Sequence, residues 1–373
     1  MKYFKFLIAG VFAVFFSGQV LAEKIVIGQT ADFSKAAAPI LKEFAIGANA
    51  YFAKVNSEGG VSGSQVELIS MDDGFDPART VANAKVLIEN PSVVALFGPR
   101  GTPNLNALLP LAQESKIAVV APLIGASVVR DEKYTVSFPM RATYKQEADE
   151  GLKAASWSGQ KISIIYPDDA YGKEMSTHVM AKLKESYPKL SLVSTIQFDR
   201  MAKEFTPQVK ELASKVPDSV MLFCSANACA SFLKEWDIVR KKQQLPMVRF
   251  VTNSIVDLQA QRDVIGVASD FVVATQILPS PTKFGKIQEG YAKALKGKEP
   301  SYPSYEGWLS AHVLVEALKK AKKPVTRASL LVALDSLRVE MDYGFVVDFT
   351  TRFKQTTRFV DVITVDSNKH VVR

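Results

Sequence analysis

What this chain lacks excludes more than what it contains proves. It has three histidines, His178, His312 and His370, far apart and none with another at metal-ligand spacing, so a histidine-built metal centre is not expected. No G-x-S-x-G elbow occurs, which disfavours an α/β-hydrolase. No G-x-x-x-x-G-K-[ST] loop occurs, and the first apolar strand runs into GQTADFSK rather than G-x-G-x-x-G, so nucleotide cradles are not expected. Asp72-Asp73 and Asp168-Asp169 end strands, where acids act on metals or substrates, but N-cap and loop duty is their plainer reading. Nothing assembles into a catalytic set: the chain reads as a non-enzyme without a cofactor. Low-complexity stretches and Pro-rich linkers are missing too.

Long apolar runs are scarce. The one at the start, Phe6–Phe16, is too short to cross a hydrocarbon core of ~30 Å. It follows Lys2 and Lys5 and precedes Val20 and Ala22, small residues three and one before Glu23. That is the pattern of a secretory signal peptide over 1–22, cut after Ala22. No cysteine stands at the cut, so a lipoprotein is not expected. A released, soluble, periplasmic protein is.

Acidic excess is also missing: the full chain carries a net charge of +8. Removing the leader, with its two lysines, leaves +6 on 23–373. The Lys and Arg residues alternate with acids, as in KELASK (210–215), and no basic block with interleaved aromatics points to nucleic acid. The two cysteines, Cys224 and Cys229, are spaced for a small disulfide loop, yet each also suits a buried thiol. The sequence leaves that choice open.

What is present is a sustained strand–helix alternation, enough for two domains. Strands are expected at 23–30, 65–73, 93–98 and 117–122, with helices at 38–54, 77–89 and 103–115. Asp76-Pro77 opens the second of these as an N-cap followed by Pro at the first helical position. The pattern restarts after 145, with strands at 161–167, 190–198, 219–224, 247–252 and 271–278. Helices are expected at 146–157, 172–186, 205–214 and 228–241, then at 283–295, 304–321 and 326–337, before strand-like 344–349 and 358–365. This predicts doubly wound parallel α/β architecture.

In order along the chain, GQTADFSK, FAIGANAYFAKVNSEGGVSG (44–63), DDGFDPARTVANAKVLI (72–88) and FGPRGTPNLNALLPLAQESKIAVVAPLIGA (97–126) resemble type I periplasmic solute-binding proteins. FPMRATYKQEADE (138–150), DDAYGKE (168–174) and PSYPSYEGWLSAHVLVEAL (300–318) continue the match. The closer likeness is to the leucine/isoleucine/valine-binding receptors of ABC transporters. The resemblance implies two Rossmann-like lobes joined by three crossings, near 141–145, 275–280 and 341–346. Lobe one would be 23–142 plus 278–342, and lobe two 143–277 plus 343–373. It also implies a monomer that closes on a small solute by hinge motion and docks on a membrane permease. The same module presented to a membrane signalling protein, as a ligand-sensing receptor, is the alternative.

In parallel sheets ligands sit beyond the carboxyl ends of strands, where helix N-termini suit a carboxylate. The loop 98–104 (GPRGTPN) offers Gly101 and Thr102, and Thr102 matches the loop from which the family binds a ligand carboxylate. The loop 122–127 offers Gly125, Ala126 and Ser127 near the family's second binding stretch. Plain turn and cap duty remains open for each. Tyr171 matches the family's ligand-covering tyrosine. Ala226 and Asn227, and Asn253 and Ser254, follow the strands 219–224 and 247–252 and are expected to face the cleft. Glu306 is expected near the hinge or as a first-turn helix acid.

Departures from the family pattern are informative. The family's acid for a ligand ammonium lies in the loop matching 252–256, which here reads TNSIV, with Asp257 just beyond. Charged Asp32 and Lys35 stand where relatives carry a neutral residue and Gly, and Arg100 is unusual in its loop. Arg100 or Lys35 is therefore expected to assist an anionic group of the ligand, and Asp32 to replace the missing acid. The rival expectations are a ligand with no ammonium, and three charges that point to solvent.

Overall fold

The computed structural model describes residues 24–35, 37–258, 261, 265–266, 271–353, 356–365 and 371–372. The expected leader and His370 lie outside them. The first apolar stretch forms β1 (Lys24–Ala31), buried along nearly its whole length because helices cover both faces of its sheet. It pairs in parallel with β2 (Gln65–Asp72) and β3 (Val93–Phe97). The sheet continues in parallel through β4 (Ala118–Val120) to β5 (Ser137–Phe138), in the order β2-β1-β3-β4-β5. Its crossovers are α1 (Ala38–Ser57), α2 (Pro77–Glu89) and α3 (Thr102–Glu114). The expected cap of α2 is observed: the Asp76 carboxylate accepts the Ala78 and Arg79 amides.

The chain leaves this sheet at residue 142 and Thr143 caps α4 (Tyr144–Ser156) in a reciprocal box with Gln146. A second sheet follows with β6 (Lys161–Pro167), β7 (Ser191–Phe198), β8 (Ser219–Leu222), β9 (Arg249–Thr252) and β10 (Val272–Gln276). Between them run α5 (Ala170–Ser186), α6 (Thr206–Lys215) and α7 (Ala226–Gln243). Three more helices, α8 (Lys286–Ala294), α9 (Tyr302–Lys320) and α10 (Arg327–Asp335), return to the first lobe, where α9 lies against α1. Gly47 and Gly307 make that contact backbone to backbone: a Cβ on Gly47 would stand 1.7 Å from the Ser304 carbonyl, and one on Gly307 2.0 Å from that of Phe44. Trp308 and Tyr51 seal the seam edge to face, with ring centroids 4.8 Å apart.

A hairpin of β11 (Arg338–Glu340) and β12 (Val346–Asp348) follows, with its turn over 341–345. The chain then re-enters the second sheet as β13 (Asp361–Val365), antiparallel to β10, with β14 (Val371–Val372) at the edge. The molecule is thus the doubly wound α/β pair of lobes that the alternation predicts. The strands missed in the sequence, β5, β11 and β14, have two or three residues each, too few for a period-2 pattern to register. The open question about the cysteines resolves as a disulfide between Cys224 and Cys229, both buried, with Cα atoms 5.4 Å apart.

Candidate functional site

The carboxyl ends of the two sheets face one another, and the loops that leave them meet over a cavity of about 20 Å³. The first lobe contributes Phe75, Arg100, Gly101, Thr102, Leu123 and Ile124. The second contributes Tyr144, Tyr171, Arg200, Ser225 and Ile255. The walls combine aliphatic and aromatic side chains with hydroxyls and with guanidinium groups from opposite sides.

Gly101 lies at the N-cap of α3 with φ 100°, a left-handed backbone that glycine adopts without strain. A Cβ there would stand 2.7 Å from the Phe75 ring, so glycine is required by space as well. This turn sets Arg100 against the cavity, beside the positive N-terminal end of α3. Arg100 is buried at 5 % exposure. Its Nη2 donates to the Ile255 carbonyl across the cleft at 3.4 Å, and its Nη1 has no partner among the described residues. Burial, and then the nearby Arg141, lower its pKa to about 10. A buried cation without a countercharge is costly, and an anion placed beside it relieves that cost. Thr102 Oγ1, also buried, faces the Tyr144 hydroxyl.

From the other side, Tyr171 begins α5 next to its Asp169 cap. Its hydroxyl donates to Asn253 Oδ1 at 3.1 Å, and its ring meets that of Tyr144 at 5.0 Å, tilted by 62°. The Asn253 Nδ2 donor is buried without a partner among the described residues. Burial pushes both phenols well above their ordinary value, so each remains a neutral hydroxyl.

The structure brings Arg100, Gly101, Thr102 and Tyr171 to the cavity wall, with Asn253 behind Tyr171. Other expected residues lie elsewhere. The Asp32 carboxylate accepts the amides of Ser34, Lys35 and Ala37 and is a local loop cap, not a free acid in the cavity. The Lys35 side chain is exposed, with its Cε near Gly74. Gly125 is small because the crossing passes over it: a Cβ would lie 2.6 Å from the Ala142 carbonyl. Ala126 packs in the core. Ser127 is exposed and latches the lobes, its amide and hydroxyl donating to Glu174 Oε1 at 2.8 and 2.6 Å. Ala226 is buried in the first turn of α7 and Asn227 is exposed, while their neighbour Ser225 lines the cavity.

Ser254 joins a second, smaller cavity of about 10 Å³ lined also by Arg141, Asp257, Gln276 and Glu306. Here Glu306 meets Arg141, three residues past the end of β5. Arg141 Nε and Nη2 donate to its two carboxylate oxygens at 2.7 and 2.8 Å, and Nη1 donates to Ser254 Oγ at 3.3 Å. Burial alone would lower the Arg141 pKa, but Glu306 more than offsets it and holds the group above its ordinary value. Glu147, on α4, accepts the Ser254 amide at 2.8 Å and the Thr275 hydroxyl at 2.7 Å through Oε2, while Oε1 is unpartnered. Burial pushes its carboxyl up, against the pull of Arg141.

Sequence reasoning missed Phe75, Leu123, Ile124, Tyr144, Arg200 and Ile255. Arg200 carried the one available signal, a basic residue just past a strand's carboxyl end. It pairs with Asp169 and stacks on Phe75, its guanidinium carbon 3.8 Å from the ring centroid. The acid pairs flagged at strand ends are loop acids: Asp73 accepts the Thr30 and Thr80 hydroxyls and Asp72 the Phe33 amide. Among the described residues, no cluster of His, Cys, Asp and Glu is placed to hold a metal.

Two facing α/β sheets, with a small closed cavity between the loops at their carboxyl ends, define a two-lobed fold. A family model described as "Periplasmic binding protein" matches residues 24–370, and the chain belongs to that family. Within it, this is a type I periplasmic binding protein of the branched-chain amino acid receptor branch. The Leu/Ile/Val-binding protein homolog 7 of Brucella suis is 26% identical over 353 residues, 87% of this chain and 85% of that protein. The Leu/Ile/Val-binding protein of Escherichia coli K12 is 25% identical over 186 residues, 48% of this chain. That match spans 50% of the Escherichia coli protein, so the chain covers about half the length of this relative. A substrate-binding periplasmic protein of Ralstonia solanacearum superposes with a TM-score of 0.84 at 26% identity, covering 94% of this chain and 99% of that one.

Proposed function

We propose that this chain is the periplasmic solute-binding component of an ABC importer, taking a small carboxylate with an apolar body and no required ammonium. The observation that carries the reading is Arg100, a buried guanidinium on the cavity wall with a free donor and no acid beside it. The ligand carboxylate bonds Arg100 Nη1, the Thr102 hydroxyl and the α3 amides. Its apolar body packs against Tyr144, Tyr171 and Ile124. The Asp32 carboxylate is engaged by three backbone amides, so it does not serve a ligand ammonium. Asp169 is paired with Arg200, and Glu306 with Arg141.

Entry opens the lobes about crossings near 141–145, 275–280 and 341–346, between lobes of 23–142 plus 278–342 and 143–277 plus 343–373. Opening parts Arg100 from Ile255 and Ser127 from Glu174. The closed monomer then docks on the membrane permease, and no catalytic step or cofactor enters.

The test is calorimetric titration of the mature, ligand-stripped chain with leucine, its deaminated analogue 4-methylpentanoate, an aromatic acid such as benzoate, and the matching amides. Binding of one or more ammonium-free acids, with their amides silent, is the expected result. Leucine binding about tenfold or more tighter than 4-methylpentanoate, a difference of about 1.4 kcal/mol, overturns the ligand class and restores an ammonium site.

A further inference from the structure

Helix α1 has two faces that a lone surface helix would not have. One, through Leu41, Phe44, Ala48 and Phe52, is buried in the core. The other, through Ala45, Ile46, Ala50 and Ala53, recurs at the same three-and-four spacing but floors an open groove of about 970 Å³. Ala294 and Leu295, at the end of α8, form the far wall, and Phe33 closes one end. The trough follows α1 from Lys42 to Ser57, about 23 Å at 1.5 Å per residue.

Its rim has one sign of charge. Lys42, Lys293, Lys296 and Lys298 line the groove and make no salt bridge among the described residues. Lys54 pairs with Glu58. Glu43, the nearest acid on α1, is turned to the Ser301 hydroxyl.

We propose that the groove between α1 and α8 is a docking site for an acidic amphipathic helix on a protein partner. An apolar floor of small residues lets a second helix approach to the ~8–10 Å typical of packed helices. Unpaired lysines along the edges select acids flanking its apolar stripe. A bilayer is a poorer fit, because a flat surface bridges the rims of a recessed trough without reaching its floor. The groove shares no residue with the ligand cavity, so this inference does not depend on the ligand reading.

Fluorescence anisotropy of the mature chain tests it with two labelled 16-residue helical peptides. They share one leucine stripe, flanked by Glu in one and by Lys in the other. Phosphatidylglycerol vesicles form a separate arm. The expected result is saturable binding of the acidic peptide at least about tenfold tighter than the basic one. That binding should drop at least about tenfold in Ala50→Trp, which fills the floor, and in the double variant Lys293→Glu/Lys296→Glu, which reverses the rim. Thermal unfolding reports whether each variant is folded, and the surface double variant decides if Ala50→Trp is not. Equal binding of the two peptides, no acidic-peptide binding, or binding indifferent to the rim reversal overturns the proposal. Vesicle binding lost on rim reversal, without peptide binding, also overturns it and assigns the groove to a lipid surface.

Discussion

The cleft cavity and the crossing-side cavity each hold a fully buried arginine, and the two differ in one respect. Arg141 has Glu306 in a two-pronged ion pair; Arg100 has a single long bond to a carbonyl and a free Nη1. The compensated arginine ties a crossing to helix α9 and needs nothing more. The other is held across the cleft by one backbone carbonyl. A buried charge whose partner comes from the chain is compensated in place, and one whose partner is missing keeps its desolvation cost.

The sharpest way to break the comparison is to make the crossing resemble the cleft. Glu306→Gln strips Arg141 of its countercharge, and removing one member of a buried pair costs about 3–5 kcal/mol. Thermal unfolding should fall by many degrees, and an unchanged midpoint would mean that Arg141 is no more compensated than Arg100.

Making the cleft apolar is the complementary change. Arg100→Met removes a buried charge that makes no ion pair among the described residues, so the ligand-free protein should lose little stability or gain some. Carboxylate affinity should fall by about 2 kcal/mol or more, roughly 30-fold, since a desolvated charged hydrogen bond is lost. Calorimetry and unfolding on one preparation separate the two effects.

The smallest effect concerns Glu147, which lies beside the compensated pair but holds its proton more tightly than usual. The unfolded chain releases that proton near the ordinary carboxyl value of 4.5, whereas the folded chain retains it to higher pH. Between those points the folded state binds more protons, so Glu147 lowers stability as pH rises, by at most about 1.4 kcal/mol per unit. Glu147→Gln retains an oxygen for Ser254 and Thr275 and has no such slope. The stability of the native chain relative to this variant should therefore decline as pH rises above about 4.5, then level off once the folded carboxyl ionises. A flat difference would show that Arg141 offsets the burial of Glu147.

The strand–helix alternation and the loops at the carboxyl ends of strands were legible in the sequence. Each is governed by local periodicity or by the conformation of a few neighbouring residues. The N-cap at Asp76 was legible for the same reason, because its amide partners lie two and three residues away. Asp32 looked like a ligand acid and proved to be a cap of the same local kind, since the turn of residues 34–37 decides where its oxygens point. Tertiary structure alone decided which charges are free. Arg141 and Glu306 are 165 positions apart, and Arg100 and Ile255 are 155 apart. Apolar periodicity declares which face of an element is buried, but it carries no record of which distant element will be buried against it. The folding of both lobes therefore paired one arginine with an acid and left the other with a single backbone carbonyl.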